Sequence, residues 1–176
     1  MAKGANAIPE RLINYRVYNE ANDLLGVASV DLPEIAAMTD TVSGAGIAGE
    51  VDSPVLGHFQ SMSCTINWRT IEPAAVALAE QRTHALELRG SQQQYDAANG
   101  LLGTVPVKVT LRVMPKTMAL GSFNVGSTTD SSNEFEVLYM KVAIDGSELV
   151  EIDKFNYKAV FNGRDALASV RADLGM

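Results

Sequence analysis

The chain has 176 residues, 47% of them hydrophobic, with 14 Lys and Arg against 21 Asp and Glu for a formal net charge of −7. That length and apolar content suit one domain with a real core and exclude a disordered chain, while the acidic balance excludes tight binding of naked nucleic acid, whose affinity comes from clustered cations. The single cysteine, Cys64, cannot form an internal disulfide and fits synthesis in a reducing compartment.

The N-terminal residues Met1 to Pro9 have no apolar stretch of the kind a secretory signal needs, so none is expected. No apolar run approaches the length of a membrane span. Residues 12–18 and 24–32 alternate with period two and read as strands, the first set off by Pro9 and the second stopped by Pro33. Residues 39–57 are rich in Gly, Ser and Thr and read as a long loop. In residues 62–68, Met62, Cys64, Ile66 and Trp68 fall on one face and Ser63, Thr65 and Asn67 on the other, the pattern of a half-buried antiparallel strand.

Residues 72–82 break the alternation. Pro73 suits a first helical turn, Thr70 or Glu72 offers a cap, and the following Ala, Leu and Glu propagate a helix with an apolar stripe at Val76, Leu78 and Ala79. Residues 84–88 form a short strand candidate, and residues 105–113 alternate with Lys108 and Arg112 facing away from the valines. Residues 121–133, almost all Gly, Ser, Thr, Asn and Asp, read as a second long loop.

The last stretch is the most informative. Residues 135–144 and 148–161 are two strands around Asp145-Gly146, a strong hairpin signal because Gly accepts positive φ. A plain two-residue loop would set Val150 and Ile152 opposite Lys141 and Tyr139. A three-residue loop with a Gly bulge instead aligns them with Leu138, Met140 and Val142 as one apolar face, leaving Tyr139, Lys141, Leu149, Glu151 and Asp153 on the other. A final helix over residues 164–173 presents Leu167 and Val170 at helical spacing. The expected architecture is mainly β, an antiparallel β-sandwich or barrel with one flanking α-helix and a short C-terminal helix. It spans residues 1–176 as a single domain, with long loops at about 39–57 and 121–133.

The chemistry-bearing residues do not assemble into a catalytic set. Gly44-Ala45-Gly46-Ile47-Ala48-Gly49 matches a dinucleotide fingerprint in letters, but Asp52-Ser53-Pro54 follows where a helix is required. His58 and His84 lie outside any ligand spacing with Cys64, so no metal and no cofactor are expected. Cys64 shares its strand face with Met62 and Ile66 and reads as a buried, inert thiol, with Ser63 on the opposite face. Glu134, Glu136, Asp145, Glu148, Glu151 and Asp153 are opposed locally only by Lys141 and Lys154, which reads as a solvated sheet face. A paired-carboxylate hydrolase is disfavoured because no apolar pocket raises one pKa.

The run Ile144-Asp145-Gly146-Ser147-Glu148-Leu149-Val150-Glu151-Ile152-Asp153 resembles the C-terminal hairpin of the major tail tube protein of contractile-tailed, P2-like phages and related phage-tail-like particles. The ending Phe161-Asn162-Gly163-Arg164-Asp165, closing on Asp173-Leu174-Gly175-Met176, is similar as well, and Asp31-Leu32-Pro33-Glu34 and Ser43-Gly44-Ala45-Gly46 are weaker likenesses in the right order. The resemblance implies the tail tube fold and a non-enzymatic role, self-assembly into stacked hexameric rings that form a conduit for DNA or effectors. It implies a lumen whose acidic wall repels the phosphate backbone, with Glu151, Asp153 and Lys141 as lining candidates. It makes Gly44, Gly46, Ile47, Gly49, Glu50 and Asp52 candidates for contact between rings or subunits. It implies a tail sheath, a tape-measure protein, a baseplate and a tube terminator as partners, DNA passing without tight binding, and assembly in the host bacterial cytoplasm into a virion tail. Two alternatives stay open: a β-barrel module binding a ligand or carbohydrate at the two long loops, and a secreted type VI-like tube protein.

Overall fold

The computed structural model describes residues 7–20, 22–24 and 26–176, and of Asp23 the backbone alone. The expected absence of a leader in Met1 to Asn6 and the Leu25 position of the 24–32 strand lie outside the described residues. Two long strands organise the rest. β8 (Leu101–Ala119) pairs on one edge with β7 (His84–Asp96) and on the other with β9 (Ser132–Ile144). β1 (Ala7–Asn19) adds to the far edge of β7, and β2 (Asn22–Asp23) pairs with the end of β1.

The free edge of β9 is shared by two different partners. Its first half pairs with β6 (Ser63–Trp68), which carries β3 (Val27–Asp31); its second half pairs with β10 (Ser147–Asp153), followed by β11 (Lys158–Phe161) and β12 (Arg164–Asp165). This division bends the sheet around one interior, since right-handed twist over so many strands curls the layer onto itself. The interior side is supplied by alternate residues: Val17, Cys64, Ile66, Trp68, Leu86, Leu111, Val113, Phe135, Val137 and Ile152 are all essentially inaccessible. Their strand neighbours Thr65, Asn67, Glu87, Thr110 and Lys141 point away.

Two bulges set the register of the β9–β10 region. Arg112 pairs with Tyr139 but Val113 with Val137, so Leu138 is the extra residue and the inward set changes from Phe135 and Val137 to Met140 and Val142. The aligned face Met140, Val142, Val150 and Ile152 forms as expected, but Leu138 does not join it. Ile144 pairs directly with Ser147, so Asp145-Gly146 is a two-residue turn, and the correcting bulge sits at Leu149 rather than in the loop. The sequence fits either location, because both restore the same apolar alignment.

Other expectations need correction. Residues 39–57 are not a loop: β4 (Ala37–Ser43) and β5 (Glu50–Phe59) form a separate antiparallel ribbon. It was invisible to periodicity because it has no core face to bury. The strand at 84–88 continues to Asp96, and that at 105–113 extends at both ends, each held by pairing beyond the apolar stretch. The helix over 72–82 shrinks to α1 (Pro73–Ala77); Ala75 and the C-cap residue Leu78 are buried, and Val76 is exposed. Those two contacts dock it after little more than one turn. At the C-terminus, Arg164 and Asp165 belong to β12, and α2 (Ala168–Asp173) begins only after the Asp165 carboxylate has accepted the Leu167 N–H at 3.0 Å. His58 lies near the end of β5.

Candidate functional site

The outward face of the sheet carries most of the charged residues singled out in the sequence. Register places Glu87, Thr110, Lys141 and Glu151 in one row across β7, β8, β9 and β10, and Arg112, Tyr139 and Asp153 in the next. Lys141, Glu151 and Asp153 are therefore on one surface, each half-buried by its neighbours. The carboxylates there are not unopposed. Lys158 Nζ lies 2.7 Å from Glu151, Lys154 lies 3.2 Å from Glu136, and Lys116 lies 2.8 Å from Glu134. Lys141 pairs with Glu148. Two of these cations, Lys116 and Lys158, come from strands that local reading of the 134–153 stretch could not bring alongside.

The ion pairs shift the titrations. The Lys158 ammonium holds the Glu151 carboxyl below the usual range, helped by the Tyr139 hydroxyl, which donates to it at 3.0 Å. Burial, and then that same carboxylate, pushes the Tyr139 phenol up. Glu87 is held down by Lys108 and then by Arg89. Arg89 lies 5.1 Å from the Tyr18 ring centre and Arg112 lies 5.5 Å from that of Tyr139, cation–π geometry in both cases. The outward face thus sets lysines beside carboxylates over β9 to β11, while Arg16, Arg89 and Lys108 align as one cationic row across β1, β7 and β8.

The second group of candidates sits at the tip of the β4–β5 ribbon. Val42 pairs with Val51 and Ser43 with Glu50, and Gly44 to Gly49 make the turn between them. Gly44, Gly46 and Gly49 all have positive φ and have nothing within 4 Å of where a Cβ would stand. Ile47, Glu50 and Asp52 are exposed. So are Met38, Val42, Val51, Val55 and Leu56, an apolar load on an arm with little of its own molecule to cover it. The Asp145-Gly146 turn also projects, with φ of 51° and 76°, the pair of positive values a type I′ hairpin requires.

Cys64 is buried, and burial with the nearby Asp31 charge pushes its thiol up to about 12. His84 is buried with Nε2 3.1 Å from the Glu80 carbonyl. Among the described residues no group of His, Cys, Asp and Glu is arranged to hold a metal ion, and no helix is long and apolar enough to cross a membrane.

Sequence reasoning missed one surface. The connection from β8 to β9 is tied down at its base, where Ser122 N–H donates to the Thr129 carbonyl at 2.9 Å and Thr129 N–H to the Arg69 carbonyl at 3.0 Å. At its tip Phe123 is 87% and Val125 108% exposed. The available signal was a lone Phe and Val inside an otherwise polar ten-residue stretch. Near the middle of β8, Leu12, Tyr15, Val30, Leu32, Val107 and Val109 line an apolar cleft of about 180 Å³ between β1 and β3.

The family described as phage tail tube protein FII matches residues 9–175. The tail tube protein of Escherichia phage P2 is 30% identical over 175 residues, covering 97% of this chain and 99% of that protein. Among solved structures, the sheath/tube terminator of an extracellular contractile injection system, PVC, in its extended state is similar in fold. It has a TM-score of 0.53 at 13% identity, over 82% of this chain and 99% of that one. The sheath–tube complex of the same system gives a TM-score of 0.45 at 16% identity, over 78% and 90%.

Proposed function

The chain belongs to the phage tail tube protein FII family and has the structural role of a tail tube protein; from that premise we propose that its copies close into hexameric rings and that the rings stack into the inner tube of a contractile tail. The whole chain acts as one tail tube domain, a reading supported by a family match that runs from residue 9 to residue 175. The observation that carries the assembly reading is the β4–β5 arm, which holds Met38, Val42, Val51 and Leu56 exposed and makes sense only if another surface covers them. The β1 edge supports it too, since among the described residues the strand from Ala7 to Tyr15 is laddered only with β7. Heterologous contacts of this kind close around one axis and stay open along it.

In this reading the outward face with Lys141, Glu151 and Asp153 lines the channel. The pairs Lys108–Glu87, Lys141–Glu148 and Lys158–Glu151 put an anion beside each of these lysines, which weakens their hold on a sliding phosphate chain. The arm tip, with Gly44, Gly46, Ile47, Gly49, Glu50 and Asp52, reaches the adjoining ring. A sheath outside, a tape-measure protein within, and a baseplate and terminator at the two ends are the partners this role requires, with assembly in the host bacterial cytoplasm before incorporation into a virion tail.

Negative-stain microscopy of concentrated, purified protein tests the proposal. Rings or tubes with an open centre are expected. A species that stays monomeric at every concentration and salt, and binds a sugar array instead, would move the assignment to a binding module.

A further inference from the structure

We propose that Phe123 and Val125 at the tip of the β8–β9 loop are a knob that seats in the apolar β1–β3 cleft of the next copy along the stack. This rests on the tube reading and adds a contact separate from the β4–β5 arm.

The knob is presented rather than loose. Gly121 is at φ +78° with its α-carbon pressed against the Thr129 carbonyl, so that a Cβ would stand 1.8 Å from that oxygen. With Ser122 and Thr129 bonded across the base, the loop leaves the sheet in one direction. Side chains as exposed as Phe123 and Val125 on an anchored loop mark a contact surface.

The occupant is a second copy for three reasons. The cleft reaches β8 at Val107 and Val109 while the loop leaves β8 after Ala119, a separation of roughly 35 Å along an extended strand, so a chain cannot fill its own cleft. Knob and cleft are thus offset along one strand, the loop at its end and the cleft near its middle, a placement that allows a repeating head-to-tail contact. Both are also built from uncharged side chains. Residues 120–129 contain no Asp, Glu, Lys or Arg, and neither do the cleft residues Leu12, Tyr15, Val30, Leu32, Val107 and Val109. Copies that each carry a net charge of −7 approach at lowest cost where neutral surface meets neutral surface.

Size fits the same picture. A cleft of about 180 Å³ admits one aromatic ring with its flanking groups. Such a contact buries roughly 400 Å², well short of the ~1,200 Å² of a self-sufficient pair, so it acts only when multiplied around a ring.

The test uses the full chain with Phe123→Cys and Leu32→Cys together, assembled and then oxidised, with each single variant as control. Covalent ladders of successive copies are expected on a non-reducing gel, from tubes of ordinary appearance. In parallel, Phe123→Ser with Val125→Ser should keep the wild-type melting curve yet lower the fraction of protein in tubes by at least about tenfold, the usual weight of a buried aromatic anchor. Tubes without ladders, with the serine variant assembling normally, overturn the proposal and leave the tube reading standing. A ladder formed instead by Ile47→Cys with Leu32→Cys assigns the cleft to the arm and also overturns it. Failure of the wild-type chain itself to form tubes overturns the tube reading and this contact together.

Discussion

The indole N–H of Trp68 donates to Asn133 Oδ1 at 2.9 Å in the interior, and Asn133 Nδ2 donates in turn to the Ala75 carbonyl at 3.1 Å. One amide therefore joins β6, β9 and α1 across a region where both its partners are out of reach of water. Asn133→Ala leaves a buried donor and a buried acceptor unpaired and is expected to lower stability by about 2–4 kcal/mol. Trp68 is the only tryptophan, so urea unfolding followed by fluorescence reads the loss directly. A change under about 0.5 kcal/mol would show that the bridge is dispensable.

Glycines within one loop differ sharply. A Cβ at Gly121 meets the Thr129 carbonyl oxygen at 1.8 Å, whereas at Gly126, with φ +80°, it meets nothing within 4 Å. Gly121→Ala is expected to cost on the order of 3 kcal/mol, because backbone must move as well as adopt an unfavourable φ, and Gly126→Ala about 1 kcal/mol. Thermal unfolding of the two variants side by side gives the comparison. Equal shifts would mean the base of the loop is soft.

Acid sensitivity follows from the clamp on α2. Arg171 Nη2 lies 2.6 Å from Asp165 Oδ2, and its Nη1 donates to the Tyr157 carbonyl at 2.6 Å. Arg171 holds the Asp165 carboxyl below its ordinary range, so the folded state is favoured above the unfolded carboxylate pKa of ~3.9 and loses that advantage as pH falls through the depressed value. Arg171→Met is expected to cost about 1–2 kcal/mol at pH 7. The deficit should narrow by pH 2 to the part due to Tyr157. A deficit constant from pH 7 to pH 2 would exclude the ion pair as its source.

Excising Gly44 to Gly49, with a short turn in their place, removes only residues at the ribbon tip. Stability of the body should stay within about 0.5 kcal/mol of wild type, while tubes no longer form. A deletant that assembles normally removes the tip from the stacking contact.

How much of this was legible beforehand depended on whether a segment buries a face. Met62 to Trp68 alternates against the core and could be read residue by residue, and the pairing of Val150 and Ile152 with Val142 and Met140 followed from the same logic. The arm could not be read that way. Thr39, Asp40, Thr41 and Ser43 are strand residues held by partner strands rather than by burial. Residues 89–96 extend β7 for the same reason, through bonds to β1 and β8 that leave no periodic mark. The Lys158–Glu151 pair depends on β11 folding back beside β10, and no spacing along the chain announces which lysine will arrive. Local pattern reports the solvent boundary; strand partnerships across the sheet are a separate kind of information.

Cys64, shut inside the body with its thiol pushed up to about 12, has one further implication. An assembly of many such subunits acquires no covalent seams when it passes from reducing to oxidising surroundings. Its mechanical strength is then purely a matter of repeated weak contacts, and a chaotrope alone, without any reductant, is sufficient to take it apart.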